Sequence, residues 1–344
     1  MNLGGGELAT DVLSKATRHR VRIHVKCGDA LSIASDVLAL KYAQANYGLD
    51  AEIVGKYAKR GSAPKFPKPW KVCLVRAPYG VRATRLLFVG VPPLEKFRYR
   101  EIRKFGYQVF EALATQQIPS KSVALTVHGV GYGLDEAEAF DAEIAGIVDS
   151  IESGNSPRDL EEIVVVESNP DRAKRLTAAL KELIPNGAIA PAGPDVRNWE
   201  PGDERLRVAG YASQAKHHVF VAMPFKGEME DVFHYGIQSP VKALGMLCER
   251  ADMSSFTGDV MQWVRNRIQS ASLVVADLTD ANPNVYLEVG YSWGTGVPTI
   301  LVVKNTKHLK FDVRGQRCLV YKSIKHLEEL LATEIPKVLP AAHH

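Results

Sequence analysis

The chain has 344 residues, 46% of them hydrophobic and 24% charged, and a formal net charge of +4. At roughly 150 residues per domain that is material for two folded domains, and the composition excludes long disordered or low-complexity architecture. Cys27, Cys73, Cys248 and Cys318 stand far apart with no CxxC pair, which excludes a disulfide scaffold or zinc ribbon. We therefore expect no metal and a reducing, cytoplasmic setting. No apolar run reaches about 18 residues, so no membrane-spanning helix is expected. Residues 1–20 lack the apolar segment of a secretory signal and read as an N-terminal extension.

From Val21 to Ile184, strand-like runs alternate with helical patterns. The strands are VRIHV (21–25), KVCLV (71–75), RLLFVGV (85–91), SVALTV (122–127) and EEIVVV (161–166). The helices fit Tyr99–Gln117, Glu136–Glu152 and Asp171–Leu183. This alternation predicts an α/β domain with a mostly parallel sheet over 21–184. Residues 185–216 are rich in proline and glycine without a sustained period and read as a linker. Residues 217–344 resume the alternation, with strands at 218–225, 246–250, 272–279, 299–305 and 316–321. Helices there fit Glu228–Leu244, Gly258–Ala271, Pro283–Trp293 and Ile324–Leu331. Five short strands in this space predict a flavodoxin-like parallel sheet. Charge is uneven along the chain. Between Val54 and Lys104 there are 14 basic residues against Glu95 and Glu101, a local excess of +12. Such an excess suits an anionic partner, or a solvated face balanced by the acidic stretch after Leu134.

The segment VVADLTDANPNVYLEVGYSWG (274–294) carries the chemistry. Asp277 falls at the carboxyl end of a strand, where ligands bind in open α/β sheets. Asn282 offers an N-cap and Pro283 a first helical position. Asn284, Glu288 and Tyr291 then share one helix face. Glu288 lies between Leu287 and Val289, an unusual setting for a solvated carboxylate. Taken singly, each acid also fits a structural role, Asp277 in a turn and Glu288 in a buried hydrogen bond.

Together with VFVAMPF, DVFHYGI, CERADM, GDVMQWVRNRIQSASLVVADLT and FDVRGQRCLVY, this segment resembles the nucleoside 2-deoxyribosyltransferase-like and TIR-like superfamily. The resemblance implies that Glu288 attacks or stabilises the anomeric carbon of a ribosyl group. It implies that Asp277 orients the sugar or assists the leaving base. Asn284 stands where deoxyribosyltransferases often have an acid, which puts leaving-group protonation there in doubt. Met223, Pro224 and Phe225 match a loop that walls the pocket. Arg250, Asp252 and Asp259 match pocket residues, with Asn282 and Tyr291 as further substrate contacts. An Asn at position 284 suits NAD, whose base leaves neutral from an already cationic bond.

The first half resembles a macro domain through VRIHVKCGDALSIASDVLAL, SVALTVHGVGYG and DLEEIVVVES, implying a three-layer sandwich. Gly129, Val130, Gly131, Tyr132 and Gly133 match its diphosphate-binding loop, a spacing that lets backbone N–H groups approach phosphate. The same glycines also suit a tight turn without a ligand. Asp29 matches an acid that contacts adenine, and His128 reads as a packed histidine. The asparagine-rich stretch that macro domains carry after the second strand is replaced by Leu40-Lys41-Tyr42-Ala43, and their triple glycine by Tyr47-Gly48-Leu49. These departures argue against hydrolytic removal of ADP-ribose.

Joined modules of these kinds resemble bacterial antiphage effectors. The resemblance implies an ADP-ribose-type ligand on the first half and N-glycosidic cleavage of NAD, or of a nucleoside or nucleotide, on the second. It also implies a homo-oligomer. NAD is then substrate, and no cofactor is expected. Two alternatives remain: deoxyribosyl transfer or base hydrolysis in nucleotide metabolism, and nucleotide binding without catalysis. Nucleic acid is the weakest partner reading.

Overall fold

A computed structural model describes residues 20–45, 48–58, 64–190, 202–250 and 260–339. Tyr47, Asp252, Gly258 and Asp259, singled out above, lie outside them, as does nearly all of the N-terminal extension.

The first domain runs β1 (Val21–Cys27), β2 (Val37–Tyr42), α1 (Leu49–Ala58), β3 (Val72–Arg76), β4 (Arg85–Gly90), α2 (Tyr99–Thr115), β5 (Ser122–Thr126), α3 (Glu136–Glu152), β6 (Glu162–Glu167), α4 (Pro170–Leu183) and β7 (Ala188–Ile189). Its seven-stranded sheet has the order β3-β4-β2-β5-β6-β1-β7. The inner strands are parallel, and β3 and β7 close the edges antiparallel. The strand period of two divides side chains between two cores. Val37 and Ala39 face the layer of α2, α3 and α4, while Leu38 and Leu40 face α1. The result is a three-layer α/β/α sandwich.

One reading of the sequence needs correction here. Leu40, Lys41 and Tyr42 do not follow a strand but complete β2, which was absent from the strand-like runs. A central strand buried on both faces has no alternation to betray it, and Lys41 masks the apolar run.

Beyond β7, which joins the first-domain sheet, the described part of the 185–216 segment carries α5 (Asp203–Val208) and a 3₁₀ turn at Ala212–Ala215. Both are tied to the first domain. Arg103 donates to the carbonyls of Leu206, Arg207 and Ala209, while Ser213 and Lys216 both bond Glu138.

The second domain runs β8 (His218–Ala222), α6 (Ser239–Ala243), β9 (Leu247–Glu249), α7 (Val260–Ser270), β10 (Leu273–Asp277), α8 (Pro283–Gly294), β11 (Thr299–Val303), β12 (Cys318–Val320) and α9 (Ile324–Val338). The five strands are all parallel in the order β12-β11-β10-β8-β9, the flavodoxin-like 2-1-3-4-5 arrangement. α7 and α8 cover one face, and α6 and α9 the other. The single helix expected over 228–244 is a 3₁₀ turn (Gly227–Met229), a π-helical stretch (Val232–Gln238) and α6. Pro240 has no N–H for a regular α bond to residue 236, and the wider turn accommodates that gap.

The two sheets meet through buried polar groups. Glu249, at the end of β9, is fully buried and accepts from Tyr99 Oη (2.8 Å), Arg98 Nη2 (3.3 Å) and Arg267. Asp135, the N-cap of α3, accepts from the Cys248 N–H (3.2 Å) and pairs with Lys242 (3.1 Å).

Candidate functional site

A cleft of about 340 Å³ opens at the carboxyl ends of β1, β2, β5 and β6. The chain leaves β2 toward β4 on one side and β5 toward β6 on the other, so the strand order reverses there. Asp29, Gly129, Gly131 and Tyr132 all line it, together with Lys41, Gly48, Asp50, His128, Glu167 and Arg172. Gly129 (φ 91°) and Gly133 (φ 82°) bracket a 3₁₀ turn at Val130–Tyr132. Both positive φ values favour glycine, and a Cβ on Gly129 would meet Ile102 Cδ1 at 2.8 Å. The loop's own turns use the N–H groups of Tyr132, Gly133 and Leu134. Those of Gly129, Val130 and Gly131 are not part of that set. Asp29 is exposed and caps the next turn, accepting from Leu31 N–H and Ser32 Oγ.

Lys41, Asp50 and Arg172 were given no role in this cleft by the sequence. Lys41 is buried and pairs with buried Asp50 at 3.3 Å, and its Nζ lies 3.5 Å from Tyr132 Oη. Burial alone would lower the lysine, but Asp50 and Tyr132 outweigh it and hold Lys41 above its ordinary value, as a cation. His128 is packed, as expected, and Glu143 fixes it twice: one oxygen takes the backbone N–H (2.9 Å), the other lies 2.8 Å from Nδ1. Arg172, in the first turn of α4, donates to Glu136 and Glu167. Loop N–H groups and two cations suit phosphoryl oxygens, and the carboxylates of Asp29, Asp50 and Glu167 suit hydroxyl or amino donors.

In the second domain the two carboxylates singled out have different surroundings. Asp277 ends β10 fully buried, accepting from the Thr279 N–H (2.9 Å) and Tyr321 Oη (2.7 Å). Burial raises its carboxyl despite those donors. Asn282 caps α8 by accepting from Asn284 N–H, and Pro283 is its first residue. Asn284 is exposed at that end. Glu288 lines an apolar cleft of about 440 Å³ between α7 and α8, with Met261, Val264, Ile268, Leu287 and Tyr291. Among the described residues it has no hydrogen-bond or ion-pair partner, and burial pushes its carboxyl up to about 8. No hydrogen bond or charge coupling joins it to Asp277.

Met223, Pro224 and Phe225 follow β8, and Met223 and Phe225 meet Arg250. Its guanidinium stacks over Phe225 (4.8 Å) and Phe233 (4.0 Å), touches Met223 Sδ (3.8 Å) and donates to Glu230 (2.7 Å). Glu230 is held down to about 2, first by His234 and also by Arg250. Arg172 and Arg250 both line a small crevice between the domains. Among the described residues no group of His, Cys, Asp or Glu is placed to hold a metal ion. No helix among them is long and apolar enough to cross a membrane.

No protein-family model matches the chain, and no curated protein matches it. Among solved structures it is similar to a macrodomain mutant of Oceanobacillus iheyensis with ADPR (15% identity, TM-score 0.35, covering 47% of this chain and 93% of that one). It is also similar to a CMP N-glycosidase of Clostridium botulinum (18%, TM-score 0.30, covering 34% and 98%). A third is the Trypanosoma brucei macrodomain in complex with ADP (17%, TM-score 0.32, covering 46% and 69%).

Proposed function

We propose that the protein is a nucleotide-responsive N-glycosidase. In this reading the first-domain cleft binds an ADP-ribose-type nucleotide, and the α7/α8 cleft cleaves the ribosyl C–N bond of NAD. The observation that carries it is Glu288, a carboxyl in an apolar cleft with no partner of its own and a pKa pushed up to about 8. Such a group is held ready for a positive charge. The pyridinium ribosyl bond of NAD brings one, and in a low-dielectric cleft that charge draws out the carboxylate. As the C–N bond breaks, nicotinamide takes the bonding electrons and leaves neutral, and Glu288 stabilises or captures the oxocarbenium carbon. Water then supplies the oxygen at that carbon and a proton goes to solvent, giving ADP-ribose and nicotinamide. In the first domain, the Gly129–Gly133 loop would take the diphosphate, with Lys41 and Arg172 supplying positive charge.

The test is incubation of the full chain with NAD, nucleosides and nucleotides, with and without ADP-ribose, read by mass spectrometry. Wild type is expected to release nicotinamide and Glu288→Gln none, with the fold intact by circular dichroism. Undiminished release by that variant removes the mechanism. Absence of ADP-ribose binding in calorimetry removes the first-domain half.

A further inference from the structure

The region of local charge excess contributes to a further concavity, separate from the two clefts and from the crevice between the domains. It has a volume of about 570 Å³ and lies between the exposed face of α2, the turn at Trp70 and the 3₁₀ segment after α5. Arg100, Arg103, Lys104 and Tyr107 supply the helix side, and Trp70 and Tyr211 stand opposite.

Three features point to a ligand surface and not merely a solvated basic face. First, the aromatic rings are paired with cations. Lys104 Nζ lies 4.0 Å from the Trp70 ring, and Arg103 lies 4.7 Å from the Tyr211 ring. Arg103 is locked in place by Asp149 and three backbone carbonyls, so it forms a fixed support under Tyr211, which is 54% exposed. Second, Trp70 has φ +61°, a left-handed conformation rare for a bulky residue. Its N–H donates to the Gly90 carbonyl at 2.7 Å, and a Cβ on Gly90 would lie 2.1 Å from the Lys68 carbonyl. A residue held in such a conformation on a concave surface is where functional strain concentrates. Third, Arg100 and Lys104, one helical turn apart, form no ion pair among the described residues, and neither do Lys68 and Lys71 beside Trp70.

We propose that this groove binds single-stranded nucleic acid, with a base stacking on the exposed Tyr211 ring, the half-buried Trp70 flanking it, and phosphates on Arg100 and Lys104. An exposed aromatic face beside exposed cations that form no ion pair among the described residues is what a flexible polyanion with planar groups needs. A duplex presents no free base faces. A small nucleotide would call for buried polar groups to fix it, and the polar side chain buried here, Arg103, is already engaged by Asp149 and three backbone carbonyls.

The test uses the full chain and fluorescein-labelled dT20, titrated by anisotropy between 25 and 300 mM salt, with a 20-base-pair duplex and AMP as comparisons. Single strands are expected to bind more tightly than duplex. Log affinity should fall linearly with log salt, by roughly 0.7 per neutralised phosphate. Arg100→Ala combined with Lys104→Ala should flatten that slope by about 1.4. Tyr211→Ala, at an exposed position, should weaken binding about tenfold while leaving the slope unchanged. No binding to dT20 overturns the proposal. So does equal duplex binding, an affinity indifferent to Tyr211→Ala, or full displacement by millimolar AMP. None of these outcomes bears on NAD cleavage at Glu288.

Discussion

Glu288 and Asp277 belong to the same face-building region of one domain, yet burial acts on them through different partners. Asp277 is surrounded by donors, Thr279 N–H and Tyr321 Oη, that make it a structural hub of the strand ends. Glu288 has only burial, which makes its charge state the most pH-sensitive feature of its cleft. Its folded value of about 8 lies above the ordinary 4.5, so between those pH values the folded protein keeps a proton that the unfolded chain has released. Stability contributed by this group therefore falls as pH rises through that window and is flat above it. Because the side chain is only half-buried, the effect is on the order of 1 kcal/mol. Glu288→Gln removes it, so the variant should gain a few °C in melting temperature over wild type between pH 5 and pH 9. A difference that stays constant with pH would show that Glu288 is not held protonated. The same group predicts kcat/KM for NAD rising with pH through a midpoint near 8 to a plateau above about pH 9, since the carboxylate is the reactive form.

Helices α2 and α3 pack directly against each other, and the glycine loop that lines the cleft leads into α3. Their approach depends on Gly106 and Gly146. A Cβ on Gly146 would sit 1.9 Å from the Arg103 carbonyl oxygen, and one on Gly106 2.5 Å from that of Glu143. Gly146→Ala must therefore push the helices apart, disturbing the turn of α3 that carries Glu143 and through it His128. The expected cost is about 3 kcal/mol, read as a lower urea midpoint, with weaker ADP-ribose binding alongside. Wild-type stability in that variant would mean the helices have slack that the packing does not suggest. Elements of this kind were legible where local chemistry marks them. α3 keeps the expected bounds because Asp135 caps it, and α8 begins as expected because Asn282 and Pro283 fix its start. β2 was missed because both faces are buried, and the π-helical stretch because Pro240 alters a ladder that periodicity treats as uniform. The cleft residues Lys41, Asp50 and Tyr132 could not be grouped from sequence. Lys41 and Tyr132 are 91 positions apart, and only the sheet brings them together.

The expectation of two domains joined by a linker left open how tightly they are coupled, and the interface bears on that. Glu249 is fully buried, and its carboxyl is lowered because Arg267, Arg98 and His218 outweigh the cost of burial. Arg98 and Tyr99 come from one domain, Glu249 and Arg267 from the other. Separating the domains would expose this cluster as a unit, so at pH 7.5 we expect one calorimetric transition for the whole chain. Glu249→Ala leaves two arginines without their counter-charge, a change that costs about 3–5 kcal/mol for a buried pair. It should split the transition in two. His218, buried on β8 with Nε2 3.1 Å from the Arg267 carbonyl, adds a pH dependence. Burial lowers it to about 4 from 6.5, so below pH 6.5 the unfolded chain takes up a proton that the folded protein refuses. Stability is then lost as pH falls from 6.5 toward 4, by up to about 3 kcal/mol. His218→Gln keeps a donor for the Arg267 carbonyl but cannot titrate, so its melting temperature should fall less steeply over that range than that of wild type. Parallel slopes for the two proteins would mean that the acid sensitivity of the interface comes from its two buried carboxylates, Glu249 and Asp135, the second of which burial raises despite its pairing with Lys242. In that case wild type should show the split transition of Glu249→Ala when the pH is lowered far enough to protonate both.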